Sequence, residues 1–144
     1  MIGLEKVSVE EAIDLIELRR DERRIKLEER NRLAMELISL GRLKEAKRLI
    51  EKSTSEQLTM FARAEDCENC GEIEEAAKLY WHNIFMNGAD ASANFKRLMN
   101  ILERLEKCDF EMKVAKIYLH FADRYESGPL EHRIEELKSR LASV

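Results

Sequence analysis

ISLGRLKEAKRLIEKS, Ile38 to Ser53, and ENCGEIEEAAKLYWHN, Glu68 to Asn83, lie thirty residues apart in a chain of 144 residues. Each has a glycine, an apolar residue two positions on, two charged residues, an alanine and then an amphipathic run. A glycine can take the left-handed conformation that closes a helix, and the run after it carries apolar residues at helical spacing. Each stretch therefore reads as a helix end, a tight turn and a second helix. Two such helices cannot bury their apolar stripes alone, so the unit has to stack on a neighbour.

Outward from these stretches the spacing stays helical. Ser8 and Glu11 form a capping box that starts a helix near Val9. Its face of Val9, Ala12, Ile13 and Ile16 enters RRDERR, Arg19 to Arg24, where no apolar residue occurs. The chain is expected to turn there, the alternative being one long helix with a charged waist. The pattern resumes at Leu27, Leu33, Ala34 and Leu37 and stops at Gly41. Ser53 to Gln57, STSEQ, supplies hydroxyls to cap a further start. Leu58, Phe61, Ala64 and Cys67 follow up to Gly71, then Ile73, Ala76, Ala77 and Tyr80. After the NGAD turn come Phe95, Leu98, Leu102, then Val114, Ile117 and Phe121. Pro129 stands where a last helix begins, a place that tolerates proline.

Composition agrees. Five glycines and one proline are too few to punctuate a β fold, and 38% of residues are charged. The reading is all-α, one domain. No apolar run approaches the ~20 residues that span a bilayer, and the N-terminus lacks the pattern of a secretory signal. Three cysteines, an odd number, suit a reducing compartment. A cytoplasmic protein with no membrane association is expected. The net charge of −4 is unevenly spread: residues 57–90 carry two basic and seven acidic groups. No basic face for nucleic acid stands out.

The small or branched residues entering each second helix are Ala12, Ala46, Ala76 and Val114, separated by 34, 30 and 38 positions. Their mean is the tetratricopeptide period of 34. With Leu33, Ala34, Leu37, Gly41, Ala46 and Ile50 in one unit and Ala64, Cys67, Gly71, Ala76 and Tyr80 in the next, residues 9–124 resemble a tetratricopeptide repeat array. Arg63 departs from the pattern, as does Val114 where a small alanine is usual. The resemblance implies a right-handed α-α superhelix of about three helical hairpins: a half-repeat at 9–22, repeats at 26–53, 56–87 and 93–124, and a capping helix at 129–143.

It also implies a groove lined by first helices, which would hold a peptide or helix of a protein partner. The lining residues would be Asn31, Met35 and Ser39, then Phe61, Glu65 and Glu68, then Lys96, Met99, Asn100 and Glu103. Some relatives hold a C-terminal carboxylate with Lys and Asn. Lys96 and Asn100 resemble that pair, whereas Met35 and Glu65 break the pattern, and a solvated Lys and Asn is the commoner case. The alternative function is self-assembly, a homo-oligomer formed through the half-repeat.

CENC, Cys67 to Cys70, has a spacing that can hold zinc or cycle as a disulfide. No second close pair accompanies it, and it falls at a helix C-terminus, where the dipole does not activate a thiol. Packing is the favoured role. His82 and His120 read as packed or hydrogen-bonded, and Trp81 as either an interface anchor or a packing residue. No phosphate loop, catalytic constellation, metal site or cofactor motif is evident, so a non-enzymatic binding module is expected.

Overall fold

The computed structural model describes residues 6–87, 92–122 and 126–143, with the side chains of 53–55, 86 and 87 left aside. It is all-helical: among the described residues there is no strand. The helices are α1 (Val9–Ser39), α2 (Leu43–Asn69), α3 (Ile73–Asn87), α4 (Ser92–Arg104), α5 (Cys108–Phe121) and α6 (Ser127–Ala142). Each packs on the next in sequence, and α1 also lies across α3 and α5.

The start of α1 is as expected. The Ser8 hydroxyl accepts a hydrogen bond from the Glu11 N–H at 3.1 Å, and Ser8 itself is extended. This satisfies one of the backbone donors orphaned in a first turn. Pro129 occupies the first turn of α6, where its missing N–H deprives no helical bond.

Three turns share one geometry. Gly41 and Gly71 have φ of 76° and 84°, and Glu106 has φ of 57°. At each, the next residue's N–H reaches back to a carbonyl five positions earlier: Arg42 to Leu37 at 2.8 Å, Glu72 to Cys67 at 2.8 Å and Lys107 to Leu102 at 2.9 Å. That pairing, with the second bond beside it, closes a helix through a left-handed residue. It lets the following helix begin two residues later, so neighbours lie antiparallel.

Two expected breaks do not occur. Residues 9–22 and 26–40 form one helix, α1, because RRDERR contains no breaker and joins its turns by Arg19–Glu22 and Asp21–Arg24 ion pairs at 3.3 and 3.6 Å. Likewise α2 runs unbroken through 53–57. Serine and threonine cost a helix only about 0.5 kcal/mol each, and α2 packs against α1. The boundaries expected at 22–26 and at 53–56 therefore lie inside continuous helices. The NGAD turn falls mainly on 88–90, outside the described residues.

The main core takes α1 only as far as Ile16 and α2 only from Phe61 onward, and adds Tyr80, Trp81, Phe95, Leu98, Ile117 and Ile134 from the remaining helices. Trp81 is buried and stacks on Phe85 at 5.4 Å, the packing alternative of the two sequence readings. Beyond the core, α1 and α2 continue as a two-helix arm that buries Ala34 and Ala46 between its own helices.

The left-handed turns can be tested directly. A Cβ added at Gly41 or Gly71 would meet nothing within 4 Å, so Gly→Ala at either position carries only the backbone penalty, about 1–2 kcal/mol. Glu106→Gly works in the opposite sense and should stabilise by up to about 1 kcal/mol, since relief of the left-handed strain exceeds the entropy cost of glycine. Urea denaturation with an unchanged m value is the measurement.

Candidate functional site

A cavity of about 330 Å³ opens between α4, α5 and α6. Its floor is apolar, built from Met99, Tyr118, Pro129 and Leu130, and its rim carries Lys96, Asn100, Glu126 and Arg133. Helical spacing explains the arrangement. Lys96, Met99 and Asn100 are three and four residues apart and share a face of α4, while Leu102 and Phe95 turn the opposite way into the core. Pro129, Leu130 and Arg133 make the facing wall from the first turns of α6.

The wall is held by charge. Arg133 forks onto Glu111, with Nε donating to Oε2 at 2.7 Å and Nη2 to Oε1 at 2.9 Å, while Nη1 donates to Glu136 at 3.0 Å. It also lies 3.5 Å from Glu103 on α4. One guanidinium thus ties three helices together. Glu111 is 1% exposed, and a carboxyl group so placed is costly to bury unless its oxygens are hydrogen-bonded, as the guanidinium fork provides. The bonds to Glu111, opposed by burial, hold Arg133 more firmly protonated than usual. Glu136, bonded by Arg133, has its carboxyl held below the usual carboxylate range. Its contact therefore favours the fold at neutral pH and is lost as pH falls through that lowered range.

Across the mouth, Lys96 Nζ meets Glu126 at 3.4 Å, and the Tyr118 hydroxyl donates to the other oxygen of Glu126. Tyr118 stacks on Phe95 at 4.8 Å, which fixes its ring as part of the floor.

A second polar cluster joins α2, α3 and α4. The Tyr80 hydroxyl donates to Glu68 at 3.0 Å, and Arg97 reaches Glu65 at 3.2 Å and Glu68 at 3.5 Å with its guanidinium 6.0 Å from the Phe61 ring centre. Burial, then the bond to Glu68, raises the Tyr80 hydroxyl above its ordinary pKa, so it acts as a donor only. Beside it the buried amide of Asn83 donates to the Gln57 carbonyl and to Asn94. These contacts satisfy polar groups that would otherwise be costly to bury.

The residues expected to line one groove fall in three places. Lys96, Met99 and Asn100 meet in the cavity, and Glu103 stands behind it beside Arg133. Phe61, Glu65 and Glu68 lie at the base of α2, engaged with Tyr80 and Arg97. Asn31, Met35 and Ser39 lie on the arm. Two of the apolar members are less free than expected: Met99 is only 8% exposed, and Phe61 packs edge-on against Tyr80 at 5.6 Å. Changes at either will cost stability as well as surface. Sequence reasoning missed Arg97, Tyr118, Leu130 and Arg133, the last with a visible cue: it lies one position before Ile134 on a helix whose apolar stripe was legible.

The thiols take ordinary places. Cys67 and Cys108 are half-buried and Cys70 is exposed. Burial, then Glu72, raises the Cys67 thiol, which favours the unreactive protonated form. Among the described residues no group of three or more His, Cys, Asp or Glu is arranged to hold a metal ion, and no helix is long and apolar enough to cross a membrane. His120 bonds Glu17 at 2.7 Å and links α5 to α1.

No family model matches the chain, and neither the curated proteins nor the solved structures contain a significant match to it.

The Glu111–Arg133 pair generates a sharp expectation. Arg133→Met strands a buried carboxylate and should cost about 3–5 kcal/mol, whereas the double change Glu111→Leu with Arg133→Met should recover most of that loss, because apolar replacement of a whole buried pair is often neutral. A double-mutant cycle by urea denaturation measures the coupling.

Proposed function

We propose that the protein is an interaction module, a tetratricopeptide-like superhelical scaffold that binds a peptide or helix of a protein partner and seats an apolar side chain of it between α4 and α6. The observation that carries this reading is the cavity itself. Its volume of about 330 Å³ falls at the lower end of the range for ligand sites, and an apolar floor with a few convergent polar groups is how such sites combine affinity with orientation. The left-handed closures at 41, 71 and 106 repeat one helix–turn–helix geometry, which supports a helical-hairpin reading.

The rim suggests what flanks the anchor. Lys96 is exposed and, among the described residues, pairs with Glu126 across the mouth, so an acidic group beside the apolar anchor can take its place. Asn100 offers both a donor and an acceptor to the peptide backbone. The protein acts by holding its partner, and the reducing interior of a cell, where three unpaired thiols persist, is its proposed location.

The test is selection of peptides on the folded protein from a random display library, followed by titration against wild type and Asn100→Trp. Asn100 is exposed, so an indole there closes the mouth without disturbing the core. Selected peptides should share a large apolar residue with an acidic neighbour, and Asn100→Trp should weaken them at least tenfold, or about 1.4 kcal/mol, with an unchanged melting temperature. Peptides that bind both proteins equally well would place recognition elsewhere.

A further inference from the structure

The α1–α2 arm leaves the body of the molecule with an apolar face showing. Of the eleven large apolar side chains exposed among the described residues, eight lie between Ile25 and Leu58. Four of these eight, Met35, Ile38, Leu43 and Ile50, lie on the continuation of the face that α1 and α2 turn toward the body. On α1, Ile13, Glu17 and Arg20 meet the core, His120 and Phe121. Carried forward at three- and four-residue steps, that face continues through Arg24, Leu27, Asn31, Met35 and Ile38. On α2, Gln57, Phe61 and Glu68 meet α3, and the same face continues backward through Ile50, Lys47 and Leu43. One long side of the hairpin is thus covered by α3 and α5 at its base and open at its tip, where Met35 is 64% and Leu43 62% exposed.

We infer that this open face pairs with the same face of a second copy of the chain, two arms lying antiparallel to form a four-helix bundle. Three features select a second copy as the occupant.

The first is register. Antiparallel pairing of α1 with its copy about Asn31 sets Leu27 against Met35 and Arg24 against Ile38, with Asn31 meeting Asn31. Pairing of α2 about Ile50 sets Ile50 against Ile50, with Leu43 directed toward the other copy's body. Asn31 and Ile50 stand at the same level of the hairpin, ten and nine residues from Gly41, so a single two-fold axis serves both helices. A face that complements itself about one axis is what an isologous dimer requires.

The second is area. Each open face spans about 16 residues of two helices, roughly 24 Å by 20 Å. Two copies cover about 1,000 Å² before side-chain relief is counted, which reaches the size of a specific interface.

The third is charge. Because α3 and α5 occupy this side at the base, two arms pointing the same way would collide, and antiparallel arms bring each tip against the other copy's body. Lys113 near Val7, His120 near Glu17 and Phe121 near Arg20 show that α5 runs parallel to α1, and α3 returns along α2 from Gly71. The C-terminal ends of both therefore face the incoming tip with the negative pole of their dipoles. At the tip Arg42 is paired with Glu45 and Lys44 stands beside them, and residues 23–56 as a whole hold ten basic and six acidic groups in a chain of net charge −4.

The experiment is sedimentation equilibrium of the full chain across the micromolar range. A mass of twice 16.9 kDa is expected. Met35→Glu with Ile50→Glu should give the monomer mass, with the helical circular dichroism and the body's Tyr and Trp near-ultraviolet signal retained. In a Cys70→Ser background, Asn31→Cys should cross-link to its own copy under mild oxidation, whereas Ser39→Cys, about 24 Å from its copy in antiparallel arms, should not. A monomeric wild type, a dimer that survives the double glutamate change, or cross-linking at Ser39 would each overturn the inference. None of these outcomes depends on the cavity between α4 and α6, so the two readings fail separately.

Discussion

A helix ended by a left-handed residue has only one direction left to it, and this constraint governs the layout of the chain. At Gly41, Gly71 and Glu106 the backbone spends two hydrogen bonds on the carbonyls of the finished helix and starts the next within two residues. Such a turn is too short for anything but an antiparallel neighbour. The buried alanines then become intelligible. Ala46 and Ala76 follow the first two turns by five residues, and each is almost fully buried, because helices brought together this closely leave room only for a small side chain at that level. The corresponding position after Glu106 is Glu111, also buried, whose carboxylate is taken up by Arg133.

Much of this was legible. The all-α class, the positions of two of the three turns, the Ser8 cap and the place of Pro129 follow from local chemistry, since each depends on a backbone conformation that one residue type prefers. The continuity of α1 and α2 was not legible for a related reason. A helix end is announced by glycine or proline, but helix continuation is decided by a margin of tenths of a kcal/mol per residue against packing that the chain itself does not display. Residues 19–24 and 53–57 look like pauses because they lack apolar residues, and they are instead the stretch where the arm leaves the core.

The candidate site was half legible. Lys96, Met99 and Asn100 were placed on one first-helix face by the resemblance to a repeat array, and the structure brings them to one cavity. What spacing could not show is the opposite wall. Leu130 and Arg133 belong to a helix more than thirty residues away, and Arg133 acquires its place through Glu111, a carboxylate whose burial no periodicity announces. The Phe61 and Met99 side chains illustrate the complementary error. An apolar residue on the face of a first helix can serve a partner or a neighbouring helix, and here Tyr80 and α6 have already taken much of each.

The charge distribution links the two surfaces. Acidic groups gather at the junction of α2 and α3, where Glu65 and Glu68 are neutralised by Arg97 and Tyr80 supplies a hydroxyl, while the arm is predominantly basic. Within one molecule α2 carries both regions at different levels, Lys47 and Arg48 toward its N-terminus and Glu65 and Glu68 toward its C-terminus. In the proposed dimer the basic excess of the arm orients an approaching copy before any apolar contact forms, and the apolar residues of the arm then decide whether the encounter persists.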